Sequence, residues 1–198
     1  MSERFVEASR EKLKDLMERP LGDLRLCALL IDATPFQGHH MIVALGIGCD
    51  GRKMVLGLRQ GATENAAVVG ELLSDLLTRG LDFTQPRLYV LDGSKALHSA
   101  VRKHAGDAAL VQRCQVHKRR NVIDHLPEEH QNTFGTKLNK AYAMFKYDDA
   151  KRALDKIHHE LMHLNPSAAR SLEEGMAETL TIHQLGIPVK LRKTLSST

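Results

Sequence analysis

Two aspartates, Asp32 and Asp92, each stand directly after a short apolar run, in Leu30-Ile31-Asp32-Ala33 and Leu91-Asp92-Gly93. If the two runs are neighbouring parallel strands, both carboxylates leave the same end of a sheet, roughly 5 Å apart at the backbone. Carboxylates that close repel one another and raise a pKa. A divalent cation removes that penalty. Magnesium is a hard ion that takes carboxylates together with phosphate oxygens and waters. Two such ions about 4 Å apart can activate a water and stabilise the leaving oxygen in phosphodiester cleavage. The competing reading is structural: an Asp after a strand is often a turn or cap residue, and Asp92 begins an Asp-Gly turn two residues before Ser94.

A second constellation is Cys114-x-x-His117. Three residues apart on a helical turn, the two side chains share a face. Zinc accepts both, but a structural site needs four ligands and no second compact pair follows. The plain alternative is a buried Cys beside a locally bonded His. Basic residues cluster close by, with Arg113, Lys118, Arg119 and Arg120 inside the acid-free run from Gln112 to Arg120. A further acid-free stretch, from Gly186 to Thr198, holds Lys190, Arg192 and Lys193. Cations in such runs bind phosphates without regard to base sequence, or simply form a solvated helix face.

The composition permits this chemistry and excludes other classes. With 42% hydrophobic residues in 198, the chain can build a folded core. No apolar run approaches the roughly 18 residues of a membrane helix, and the opening MSERFVEASREKL lacks a signal-peptide stretch. A soluble, cytoplasmic protein is the expectation. Three cysteines, Cys27, Cys49 and Cys114, make a disulfide framework a poor reading. A net charge of +4 is compatible with a nucleic-acid partner.

Periodicity supplies the elements that would carry these residues. Residues 3–18 read as an amphipathic helix in which Phe5, Leu13, Leu16 and Met17 recur. Leu24–Ile31, His40–Gly48 and Met54–Leu58 read as three strands, the last two joined at Asp50-Gly51, a strong hairpin signal. Thr63 can cap a helix with Val68, Val69, Leu72, Leu73, Leu76 and Leu77 on its apolar face, closed at Gly80. Arg87–Leu91 is a fourth strand, Ala96–His104 a helix and Ala108–Val111 a fifth strand. The remainder is helical: Val116–His125, a helix from Pro127 with Phe134, Leu138, Ala141, Tyr142 and Phe145 inward, one capped by Asp148, and a last one from Ser167 through Leu172, Met176 and Leu180. The right-handed crossover rule then favours an α/β fold with a mixed five-stranded sheet in the order 3-2-1-4-5, the ribonuclease-H-like order. A plain doubly wound sheet is the competitor, and the Asp-Gly hairpin counts against it.

These residues carry a resemblance. The chain resembles the Mutator-type bacterial insertion-sequence transposases, through Leu30-Ile31-Asp32-Ala33, the helix beginning near Asn65 and Asp92-Gly93. Gln112-Arg113-Cys114-x-x-His117 with the following basic residues and Asn121, and Leu191-Arg192-Lys193-Thr194-Leu195, complete it. It runs from about Leu24 to Thr198. The Cys-His motif followed by Lys118–Asn121 is its most specific part. It implies a ribonuclease-H-like catalytic core that cuts and joins DNA at transposon ends and target, with Asp32 and Asp92 as catalytic metal ligands. It also implies Mg2+ or Mn2+ as cofactor, two ions in the intact enzyme, and a homo-oligomer as the working form.

The resemblance implies a third acid, a glutamate in a segment expected just beyond Ser196-Ser197-Thr198, so a truncated, weakly active or inactive fragment is the expectation. Glu173, Glu174 and Glu178 precede that position and are not assigned the role. The layout is then an N-terminal helix (1–23), the catalytic core (24–126), an all-helical insertion (127–187) and a basic C-terminal segment (188–198), of which Val189–Thr198 is expected to fray unless a second chain holds it. Arg113, Lys118, Arg119, Arg120, Lys190, Arg192 and Lys193 are the expected DNA contacts, with Cys114 and His117 as a structural motif. The alternatives are an inactive remnant that binds DNA or a partner, and a ribonuclease-H-like nuclease on another substrate.

Overall fold

The computed structural model describes residues 3–61 and 66–198. The expected cap Thr63, the helix start near Asn65 and the Phe5 side chain lie outside the described residues. The chain divides into two compact units, one of Met1–Tyr89 with Ser94–Leu110 and one of Val90–Gly93 with Val111–Thr198. A five-stranded sheet has the order β3-β2-β1-β4-β5, as the crossover rule required. Its strands are β1 (Leu26–Phe36), β2 (His39–Gly48), β3 (Lys53–Gly61), β4 (Arg87–Leu91) and β5 (Ala109–Arg113).

In the first unit β1, β2 and β3 form an antiparallel meander. The β1–β2 turn is Gln37-Gly38, with φ 48° and 78°. Both central residues of this tight hairpin take the left-handed region, which suits Gly38 and is tolerated at Gln37. This turn carries β1 five residues further than the sequence pattern suggested, to Phe36. Apolar residues of α2 (Ala66–Thr78), namely Val69, Leu72, Leu73 and Leu76, are fully buried, whereas Leu77, expected on the same face, is exposed because it falls one position past the inward stripe. They lie against β3 and α3 (Lys95–Ala105), where each such side chain contributes about 1.5–3 kcal/mol. Arg79 fastens the packing. Its guanidinium donates to the Leu56 carbonyl at 2.5 Å and the Leu16 carbonyl at 3.0 Å, and pairs with Asp75 at 3.0 Å. The Leu16 bond ties α1 (Glu3–Glu18) to this unit.

The second unit is helical beyond β5: α4 (Gln115–Ile123), α5 (Glu128–Tyr142), α6 (Tyr147–Leu164), α7 (Pro166–Glu173), α8 (Thr181–Gln184) and α9 (Val189–Leu195). Val122, Leu138, Leu154, Leu161, Leu172 and Leu180 form its core, all fully buried. Phe145, expected on the inward side of α5, lies beyond the end of that helix and is exposed. Asn165 begins α7 by accepting from the Ala168 amide, with Pro166 at the first helical position, where its missing N–H leaves no bond unmade. Two expectations change here. The last helix does not run from Ser167 through Leu180: it stops at Glu173, and after Gly175, at φ 67°, the chain resumes as a 3-10 turn over Ala177–Leu180. The basic C-terminal stretch, expected to fray, is the helix α9, with Leu195 buried. Among the described residues no helix is long and apolar enough to cross a membrane.

Candidate functional site

Asp32 lies inside β1 rather than after it, opposite Val43 of β2, and is half-buried. Alternation along the strand puts its side chain on the face opposite to fully buried Ile31. Asp92 follows β4, a strand whose five residues are all buried. Its backbone is gripped on both sides. The Cys114 amide donates to the Leu91 carbonyl at 2.7 Å. On the other flank the Arg113 guanidinium lies so close to Gly93 that any Cβ there would overlap it. The Asp92-Gly93 pair thus has its glycine where a Cβ would force the Arg113 guanidinium to move.

The same guanidinium faces Gly175, whose missing Cβ also leaves it room. Arg113 donates to the Glu174 carbonyl at 3.1 Å and pairs with the Glu174 carboxylate at 3.3 Å. Lys118 reaches the same turn, donating to the Ser171 carbonyl at 2.6 Å and the Glu174 carbonyl at 2.5 Å. Gln112 donates to the Thr179 carbonyl at 2.9 Å and accepts from the Ile182 amide at 3.0 Å, while Gln115 donates to Thr179 at 2.8 Å. A helix that ends leaves carbonyls without partners, and side chains from β5 and α4 satisfy those that the break after α7 exposes. This explains why the periodic pattern of residues 167–180 does not continue as one helix.

Cys114 caps α4. It is fully buried, and its sulfur accepts from the His117 amide at 3.5 Å. Burial alone would push the thiol up. Hydrogen bonds from the His117 side chain and backbone and from the Thr198 backbone outweigh that and hold it down at about 7. His117 is half-buried, with Nδ1 3.4 Å from the Thr198 hydroxyl. The Gln115 amide donates to the Ser196 carbonyl at 2.8 Å. The motif thus joins the start of α4 to the end of β4 and to the residues after α9.

The seven cations expected at DNA separate into two groups. Arg113, Lys118 and Arg192 are buried. Arg192 donates to the carbonyls of Ile187, Met144 and Phe145 at 2.8, 3.0 and 2.9 Å. These three are committed to the protein's own carbonyls, which departs from the expectation that they face solvent and phosphate. Arg119 is half-buried, with Nε donating to the Gly135 carbonyl at 3.3 Å. Arg120, Lys190 and Lys193 are exposed. Residue type did not reveal the buried group, but spacing could have: Cys114, Lys118 and Val122 recur every four residues, so all three share the inward face of α4. Gln112 was legible only as part of the motif that opens at it, and Gln115, Thr179 and Gly175 carried no signal beyond their polarity or size.

Among the described residues no three His, Cys, Asp or Glu side chains are gathered as a metal ion would require. The half-buried carboxylates of Asp32 and Asp92 nonetheless offer oxygen donors of the kind a hard divalent cation takes.

Comparison with known proteins agrees with the fold. A family described as "Transposase, Mutator family" matches residues 3–198. The chain is 30% identical over 169 residues to the transposase for insertion sequence element IST2 of Acidithiobacillus ferrooxidans, covering 85% of this chain and 52% of that protein. It is 30% identical over 196 residues to the transposase for ISRM5 of Rhizobium meliloti (strain 1021), covering 95% and 48%. With the transposase for IS905 of Lactococcus lactis subsp. lactis (strain IL1403) the identity is 27% over 201 residues, covering 97% and 49%. The chain therefore spans about half the length of the curated relatives it matches.

Proposed function

Because this chain belongs to the Mutator family of transposases, we propose that it carries the catalytic aspartates for cutting and joining DNA, with Asp32 and Asp92 as the pair that holds the metal. The observation that carries the reading is positional. Asp32 is in β1, Asp92 directly follows β4, and β1 and β4 are neighbours in the sheet. Asp32 and Asp92 would hold Mg2+ or Mn2+, two ions in the intact enzyme, which supply an activated water and stabilise the leaving oxygen when bound. Asp92 needs a fixed backbone for this, and the Cys114 amide and the Arg113–Gly93 approach supply it. Arg119, Arg120, Lys190 and Lys193 neutralise DNA phosphates and place the duplex without reading its sequence. Arg113, Lys118 and Arg192 fasten the helices instead. Joining two transposon ends to a target calls for two catalytic centres, so a homo-oligomer is part of the reading.

The test is a plasmid nicking and strand-transfer assay in Mg2+ or Mn2+, comparing the chain with Asp32→Asn and Asp92→Asn. Metal-dependent nicking that both variants lower at least about a hundredfold supports the reading, since each removes a charge the ions need. Nicking that survives either substitution refutes the assignment. DNA binding with no nicking, together with Mn2+ affinity that neither variant weakens, selects a non-catalytic DNA-binding role.

A further inference from the structure

Within the second unit, α4, the end of α5 and α9 enclose a groove of about 450 Å3. Its lining combines apolar and cationic groups. Val116 and Val189, each more than half exposed, lie alongside Arg119, Lys193 and the Asn139 amide, and no acidic residue lines it among the described residues. An adjoining groove also uses Arg119, with Arg120, but its wall includes Asp124 and Glu128. Only the first groove is complementary to an anion throughout.

The groove is preformed. Arg192 bonds three carbonyls and so locks α9 against the α5–α6 corner, and the Gln115 amide holds the Ser196 carbonyl. Its shape therefore does not depend on an occupant to order it. Two features must be satisfied together by whatever fills it: exposed valines from two helices, and cations beside them. A paired duplex offers phosphates but keeps its base faces stacked inside, leaving the valines wet. An apolar helix from a protein would cover the valines but bury the Arg119 and Lys193 charges without a counter-charge, at a desolvation cost. An unpaired nucleotide offers both an apolar base face and an anionic phosphate.

We propose that this groove binds an unpaired nucleotide of single-stranded DNA, its base against Val116 and Val189 and its phosphates on Arg119 and Lys193. The inference rests on the reading that the chain acts on DNA and deepens it, by naming strand separation as something the protein senses.

The experiment is fluorescence anisotropy of the whole chain, without divalent metal and at fixed salt. Three probes are used: a blunt duplex, the same duplex with a short single-stranded tail, and the same tail made abasic. The tailed probe is expected to bind about tenfold tighter than the blunt one, since one base face leaves water against aliphatic side chains. The abasic tail, which keeps its phosphates, should lose most of that gain. Val116→Ser combined with Val189→Ser changes only exposed side chains and should bring the tailed-to-blunt ratio close to one while blunt affinity stays the same. Lys193→Ala should weaken all probes. Equal affinity for blunt and tailed probes, or a tail preference that survives in the abasic probe or the double-serine variant, overturns the proposal. Blunt-duplex binding and metal-dependent nicking would persist in that case and leave the transposase reading standing. Absence of binding to every probe would overturn both.

Discussion

Lys118 is the place where charge, burial and fold are most tightly linked. Its ammonium is fully enclosed, donating to the Ser171 and Glu174 carbonyls. Burial pushes its pKa down, the Arg113 charge adds to this, and Glu174 and Glu178 pull it back, so that it falls from 10.5 to about 8. Between those two values the unfolded chain holds a proton that the folded chain has released. Stability must then rise with pH through this window. At about 1.4 kcal/mol per pH unit the full rise is about 3 kcal/mol. Losing the proton does not break the two bonds, because a neutral amine still has two hydrogens to donate.

Replacement by Met at this position, of similar length, separates the terms. Lys118→Met removes the buried charge and also the donors. The Glu174 carbonyl keeps Arg113 as a partner at 3.1 Å, so Ser171 is the carbonyl left short, at about 1–3 kcal/mol. Near pH 7 the two effects oppose each other, and the variant should equal the wild type or exceed it by up to about 2 kcal/mol. Near pH 10.5 only the missing bond remains, and the variant should be about 1–3 kcal/mol less stable. Urea denaturation of both proteins from pH 7 to 10.5 measures this crossing. Curves that stay parallel across the window would show that the Lys118 charge is not destabilised in the fold, and would refute the reasoning.

Other consequences can be checked in the same way. The Cys114 thiol is held down from 9.0 to about 7, so stability should rise by about 3 kcal/mol as pH goes from 7 to 9 and be lost again as pH falls through 7. Cys114→Ser keeps a good helix cap and should flatten that rise in a pH series of urea midpoints. Gly93→Ala forces Cβ against the Arg113 guanidinium and should lower stability by about 1–3 kcal/mol. In an Arg113→Ala background that loss should shrink, which a double-mutant cycle of urea midpoints would register. Alanine at Arg120, Lys190 and Lys193 together should weaken duplex binding for all sequences and flatten the salt dependence by about 0.9 for each phosphate no longer neutralised. An unchanged slope in the salt titration would place those cations away from DNA.

The sequence alone determined a good deal. β4 occupies Arg87–Leu91 as its continuous apolar run indicates, because a strand buried on both faces needs no alternation. The sheet order followed from an Asp-Gly hairpin and two strand–helix–strand passages, since chain connectivity and handedness leave few arrangements. The family was legible in short motifs, and two of them, Asp92-Gly93 and Arg113-Cys114-x-x-His117, meet at the end of β4 through the Cys114–Leu91 bond and the Arg113–Gly93 approach. Tertiary structure decided the rest. Asp32 falls inside β1 because pairing with β2 extends the strand through Thr34 and Pro35 to a turn at Gln37-Gly38, and pairing is a property of two segments. The break after Glu173 was hidden because the pattern of Leu172, Met176 and Leu180 is helical. It occurs because Arg113 and Lys118, about sixty and fifty residues earlier in sequence, supply donors for the Ser171 and Glu174 carbonyls. For the same reason three cations that looked like DNA contacts turned inward. A side chain's charge is local information, but the carbonyls that can neutralise its burial belong to the folded chain.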